Sequence, residues 1–183
     1  MIIETDRLIL RQWRPSDNRA FIKLNLDPET MKFFPTTYKR EVSESLIKRE
    51  TSRIAQRDIG LLAVEEKSSG EFIGFIGLAR PSYETHFTPC TEIGWRLDKK
   101  FWGKGYATEG ARAVLNFAFT ELDLKEVVSF TAQINIPSRR VMEKIGMQRD
   151  LQGDFDHPMV DDGHILKPHV LYRINKDDAA PSL

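Results

Sequence analysis

The chain of 183 residues contains a single cysteine, Cys90, so it can form no internal disulfide and no multi-cysteine metal site. It also lacks net charge, because 27 Lys plus Arg residues balance 27 Asp plus Glu. No chain-wide field draws it toward nucleic acid or an anionic membrane. Long apolar runs are missing too. The longest, 72–79, falls far short of the roughly 20 residues that a membrane-spanning helix needs. The first residues carry acids and no apolar stretch of the secretory type. These absences point to a cytoplasmic protein that binds neither nucleic acid nor membrane. The four histidines, His86, His157, His164 and His169, match no helical H-x-x-x-H spacing and have no cysteine partners, so no metal site is expected. Two phosphate signatures fail as well. The G-x-G-x-x-G/A fingerprint that Gly103 and Gly105 begin is broken at Thr108, and no G-x-x-x-x-G-K-[ST] run exists.

What is present suits one compact domain spanning 1–183, with 40% hydrophobic residues and 30% charged. Its polar end, 176–183, reads as a flexible tail. The organising stretch is 91–122. A strand over 91–97 leads into the turn Trp102-Gly103-Lys104-Gly105-Tyr106-Ala107, and a helix follows. Ala107, Ala111, Val114, Leu115, Ala118, Phe119 and Leu122 repeat with the 3.6-residue period of one buried face. A helix start exposes unpartnered N–H groups and the positive end of the helix dipole. Glycines just ahead of it let an anion, most naturally a phosphate or pyrophosphate, approach the backbone.

The remaining elements follow in order. A strand is expected over 7–13, then a helix opened by Ser16 as its cap, with Ala20, Phe21, Leu24 and Leu26 facing inward. The aromatic stretch 31–38, which contains Pro35, reads either as a loop over the core edge or as the lining of a cleft. A polar helix over 43–58 turns Leu46, Ile47, Ile54 and Ala55 inward. Strands at 60–65 and 72–80 form a hairpin, and Gly74 and Gly77 suggest a bulge or a close backbone approach. After the organising unit come a strand at 126–132, a helix opened by Asn135 and closed by Gly146, a weak strand at 147–153 and a long loop over 154–168. A strand at 170–175 ends the series. The order predicts an α/β (α+β) fold, a mixed and mostly antiparallel sheet of about seven strands with helices on both faces. The segment 150–164 carries five aspartates and no Lys or Arg, which is either a solvated loop or an attractor for a cationic amine.

Four motifs in order carry a family resemblance. They are Thr5-Asp6-Arg7-Leu8-Ile9-Leu10-Arg11, Glu92-Ile93-Gly94-Trp95-Arg96-Leu97, the turn from Trp102 to Ala107, and Asn135-x-x-Ser138 ahead of Val141-Met142-Glu143-Lys144-Ile145-Gly146-Met147. Together they resemble the GNAT N-acetyltransferases, and in particular the branch of the Rim-type ribosomal-protein N-terminal acetyltransferases. Gly105 and Ala107 match the last anchors of that family's Q/R-x-x-G-x-G/A loop, and Trp102 stands where Gln or Arg is usual.

The resemblance implies acetyl transfer from acetyl-CoA to a primary amine, either a protein N-terminus or a small molecule. It implies that the strands at 91–97 and 126–132 splay apart, and that the pantetheine arm pairs with backbone near Trp95 and Leu97. The pyrophosphate would sit on the amides of Gly103, Lys104, Gly105, Tyr106, Ala107 and Thr108, and Trp102 would belong to the same cofactor-binding loop. Asn135 would bond the pantetheine arm, Ser138 would lie near the thioester sulfur, and Glu92 would be the base. A homodimer is compatible with this branch. One departure stands out: where many members have a tyrosine thought to protonate the departing thiolate, this chain has Met142. Either Ser138 assists, or a thiol of pKa about 8.5 leaves unaided. The missing tyrosine also keeps open a non-catalytic acyl-CoA-binding module, and the helix start alone would serve another nucleotide.

Overall fold

The computed structural model describes residues 2–56 and 59–178. One sheet of eight strands runs in the order β1-β2-β3-β4-β5-β6-β8-β7. The strands are β1 (Ile3–Glu4), β2 (Leu8–Arg11), β3 (Leu61–Glu66), β4 (Phe72–Ala79), β5 (Glu92–Leu97), β6 (Glu126–Ala132), β7 (Gln148–Asp156) and β8 (Pro168–Asn175). The helices are α1 (Asp17–Leu26), α2 (Arg40–Ala55), α3 (Tyr106–Thr120) and α4 (Ile136–Lys144). Every strand pairing is antiparallel except β5 with β6. The eighth strand is β1, two residues long, too short to leave a periodic signal in the sequence.

Strand alternation assigns the two faces. Phe75 meets Phe21 of α1, whereas its neighbour Ile76 lies against Gly110 of α3, so α1 and α3 cover opposite faces. Glu50 of α2 accepts the N–H of Leu61 at the start of β3. Arg112 of α3 donates to the carbonyl of Lys144, which holds α4 beside α3. The α3 stripe is buried as its spacing requires, with Ala111, Val114, Leu115, Ala118 and Phe119 inside. Burying one large apolar side chain of this kind stabilises the fold by roughly 1.5–3 kcal/mol.

Gly74 and Gly77 behave as their positions suggested. Gly74 has φ +140° beside a register shift between Val64 and Glu65. A Cβ on Gly77 would stand 2.3 Å from the carbonyl oxygen of Gly60.

Several expectations are corrected. Ser16 makes no cap bond. Asp17, the first helical residue, instead accepts the N–H of Arg14 ahead of the helix at 2.8 Å while it pairs with buried Arg11. Ala20, Leu26 and Ala55 are exposed, and α1 buries Ile22 and Asn25 instead. The first long strand stops at Arg11, not Trp13. Helix α2 runs over Arg40–Ala55, and the expected end near Asp58 lies outside the described residues. Strand β7 reaches Asp156, shortening the expected loop, because the chain absorbs a register shift between Asp150 and Phe155 and then pairs again with β8. The tail begins as a 3-10 turn, Lys176–Asp178, tied back through Lys176 to Lys125 and Asp123; residues 179–183 lie outside the described residues.

Candidate active site

Strand β5 has two unlike edges. Along β4 it is paired from Ala79↔Glu92 through Gly74↔Leu97. Along β6 a single bridge, Glu92↔Val128, joins the two parallel strands. Val128 N–H donates to the Thr91 carbonyl, and the Ser129 hydroxyl donates to the Ile93 carbonyl, both at 2.9 Å. Beyond that point the strands part. Successive residues send their backbone groups to alternate edges. Residues 91 and 93 face β6, so the backbone groups of Trp95 and Leu97 face the opening. The Leu97 carbonyl is taken by the Trp102 indole N–H at 2.8 Å, which ties the following loop to the end of the strand.

That loop meets the design read from the sequence. Gly103 (φ +74°) and Gly105 (φ +83°) adopt left-handed backbone, and Gly105 is the residue at the N-terminal cap of α3. Nothing lies within 4 Å of where a Cβ on Gly103 would be. The same point at Gly105 meets only the Arg7 guanidinium, 3.5 Å away. Among the described residues, the backbone N–H groups of Gly103, Lys104, Gly105, Tyr106, Ala107 and Thr108 have no recorded acceptor. The Tyr106 side chain turns inward, where its hydroxyl donates to Glu66, and Arg7 stacks over its ring at 4.7 Å. Lys104 is exposed and lies over the rings of Phe101 and Tyr106. A bare run of amides, open space and a parted strand edge fit a diphosphate carrying an extended amide arm.

At the far side of the opening, Asn135 caps α4. Its side-chain oxygen accepts the Ser138 N–H at 3.3 Å, and its amide nitrogen donates to the Thr131 hydroxyl at 2.8 Å. The Ser138 hydroxyl, half-buried, has no recorded hydrogen bond among the described residues. Met142 is 1% exposed and packs in the core, so it presents no group to the opening.

Glu92 stands at the closed end of the parted edge. Parity puts its side chain, with Gly94 and Arg96, on the α1 face, and its Oε1 leans to 3.8 Å from the Cβ position of Gly94. The side chain still meets some solvent, but burial pushes the carboxyl up from 4.5 to about 8. Burial also pushes the Cys90 thiol up to about 11 and raises the Tyr83 phenol, and Glu92 adds to both.

The sequence reading offered 31–38 as a cleft lining but missed what holds it, and it missed the opposite flank. Arg96 is buried and, among the described residues, has no carboxylate as an ion-pair partner. It donates to Asn25 at 2.6 Å and lies 4.0 Å from the Phe34 ring and 5.0 Å from that of Tyr38. Part of the aromatic stretch 31–38 is thus pinned to β5. On the other flank, Tyr83, Phe130, Phe155, His157 and His169 contact one another. Burial, helped by His169 and Lys167, lowers His157 to about 4, so its ring is neutral at pH 7. The aspartates once read as an amine attractor are partly spent in ion pairs: Asp150 with Arg173, Asp154 with Arg149 and Asp162 with Lys167. Among the described residues, no three His, Cys, Asp or Glu side chains gather into a metal site, and no helix is long and apolar enough to cross a membrane.

The acetyltransferase (GNAT) domain family model matches residues 7–148. The chain belongs to the GNAT acetyltransferase family. It is similar to the Bacillus subtilis protein named uncharacterized N-acetyltransferase YnaD, 30% identical over 82% of this chain and 84% of that one. It is also similar to the Aspergillus fumigatus FsC-acetyl coenzyme A-N(2)-transacetylase, 39% identical over 72% of this chain and 58% of that longer one. Among solved structures, a GNAT-family acetyltransferase from Bacillus anthracis is 27% identical, covers 97% of this chain and 99% of its own, and superposes with a TM-score of 0.79. The Rim-type branch shares the fold: Mycobacterium smegmatis RimJ, solved with CoA-disulfide, is 20% identical with a TM-score of 0.76, covering 96% of this chain and 85% of its own. Thus the opening between β5 and β6 is the splay of a GNAT sheet.

Proposed function

We propose that this GNAT acetyltransferase moves an acetyl group from acetyl-CoA to a primary amine of low basicity, a chain N-terminus or a small-molecule amine, by direct attack. The single observation that carries the reading is the parted edge of β5 running into the unpartnered amides at 103–108. The A. fumigatus relative, named as an acetyl-coenzyme A transacetylase, supports the donor.

In this reading the amides at 103–108 bind the diphosphate with Lys104 nearby, and Trp102 holds the loop to the strand. The gap-side backbone groups of Trp95 and the Leu97 N–H pair with the pantetheine arm and orient the thioester, while the remaining amide hydrogen of Asn135 bonds the arm from the α4 side. Holding donor and amine together supplies much of the rate. Glu92 takes the proton, directly or through water, as the amine nitrogen bonds to the acetyl carbon and the C–S bond breaks. Its pKa of about 8 lies close to that of an α-amine, ~7.7–8.0, and well below that of a lysine side chain, ~10.4. Lifting a proton from lysine would run uphill by about two units, so the base suits the weaker amine. Ser138, whose hydroxyl makes no hydrogen bond among the described residues, would donate toward the departing thiolate, unless a thiol of pKa about 8.5 leaves unaided.

The test is thiol release from acetyl-CoA over a panel of peptide N-termini, small amines and lysine side chains, paired with a thermal shift against acetyl-CoA. Stabilisation together with turnover on α-amines is expected. Absence of any stabilisation at saturating acetyl-CoA would overturn the donor. Stabilisation without turnover on any amine would leave an acyl-CoA-binding module.

A further inference from the structure

Arg7 lies in the segment between β1 and β2, far in sequence from the phosphate loop, yet it clamps that loop. Its Nε and Nη2 stand 2.6 and 2.5 Å from Glu109 Oε2 in the first turn of α3. Its Nη1 donates to the Lys104 carbonyl at 3.0 Å. The same carboxylate also accepts the Arg7 N–H and the Thr5 hydroxyl, so it is held from several directions. The guanidinium lies over the ring of Tyr106, whose hydroxyl is anchored by Glu66.

The geometry of the peptide unit gives this clamp a consequence. In a trans peptide the C=O and the next N–H point to opposite sides. Fixing the Lys104 carbonyl toward Arg7 therefore turns the Gly105 N–H away from it, into open space. At Gly105, φ +83° is reached without a Cβ penalty, so the backbone there adopts other orientations readily, and among the described residues the bond to Arg7 is what holds the Lys104 carbonyl. Half of the Arg7 side chain is solvent-exposed, and exposed ion pairs add little to stability, so its removal need not unfold the chain.

We infer that Arg7 is a positioning residue for the donor site. Through the Lys104 carbonyl and Glu109 it locks the 104–105 peptide so that the amides of the loop point outward for a diphosphate. This inference rests on the donor reading above.

The experiment compares wild type, Arg7→Ala and Arg7→Lys with two donors, acetyl-CoA and acetyl-pantetheine, which has the thioester arm but no diphosphate. For Arg7→Ala, KM for acetyl-CoA should rise about tenfold, the loss of one well-made charged contact, with kcat within about twofold. Lysine, able to reach the carbonyl but not to fork onto Glu109, should rescue part of the loss. With acetyl-pantetheine the three proteins should have equal KM, whereas a merely structural role would raise KM for both donors and lower Tm. Equal KM for acetyl-CoA in wild type and Arg7→Ala, or an equal rise for both donors, overturns the inference. Failure of wild type itself to use or bind acetyl-CoA overturns the donor reading instead.

Discussion

Strand β5 has a neighbour on each side, and the two pairings could hardly differ more. Toward β4 the register is unbroken along the whole strand, closed so tightly that a Cβ on Gly74 would stand 2.8 Å from the Leu97 Cα. Toward β6 there is one bridge and a serine tie, then separation. The first edge satisfies its backbone groups inside the fold. The second leaves the gap-side groups of Trp95 and the Leu97 N–H facing the opening, the Leu97 carbonyl being held by Trp102. In the proposed reading one strand carries stability on one edge and recognition on the other, and substitutions on the two sides should separate into two classes of effect.

The largest expected effect is at the residue where the two edges meet. Glu92→Gln should lower kcat by ~10²–10⁴ while leaving acetyl-CoA binding unchanged, as expected for loss of a general base. In wild type, kcat/KM should climb with pH through about 8 as the carboxyl ionises. An acceptor whose amine titrates well below neutral removes the amine's own contribution to that rise. Stability moves the other way. Because the folded carboxyl titrates above its ordinary 4.5, Glu92's contribution is fully present below about 4.5 and is lost as pH rises toward 8. Stability curves of wild type and Glu92→Gln should therefore diverge in that window. A kcat unchanged by the substitution would remove Glu92 from the chemistry.

Next in size, Gly105→Asp would set a carboxylate against the bound diphosphate. Donor affinity should fall at least ~100-fold by calorimetry, since opposed like charges cost several kcal/mol. The circular dichroism spectrum should stay that of the wild type. The smallest effect on binding belongs to the packed side of the sheet, where β4 meets the start of β3, away from the gap. Gly77→Ala drives a methyl against the Gly60 carbonyl and should cost about 1–3 kcal/mol, read as a lower Tm, yet leave KM for acetyl-CoA where it was. A change in donor KM there would blur the division between the edges.

The parts legible in the sequence were those written locally. The stripe on α3, the glycines of the loop and the cap at Asn135 each depend on residues within a few positions of one another, and each appears as read. The splay followed from resemblance and not from pattern, since nothing in 126–132 marks an unpaired edge. Contacts between distant segments were silent. The Arg7–Glu109 clamp spans more than a hundred residues, and each partner alone looks like a surface charge. At the start of α1, Ser16 makes no cap bond, and its neighbour Asp17 is committed to a buried arginine, Arg11, in the preceding strand. The extension of β7 was hidden by Gly153 and its flanking polar residues. Gly153 is buried because a Cβ there would collide with Leu171, a reason that exists only across the strand pair.

The most direct measurement is amide hydrogen exchange resolved to single residues, with and without CoA. On adding CoA, new protection should appear at the N–H groups of Trp95 and Leu97 and across 103–108, with β4 unchanged. Protection confined to other surfaces, or Trp95 and Leu97 already as slow as the β4-facing amides of the same strand before CoA is added, would contradict an open edge that receives the donor.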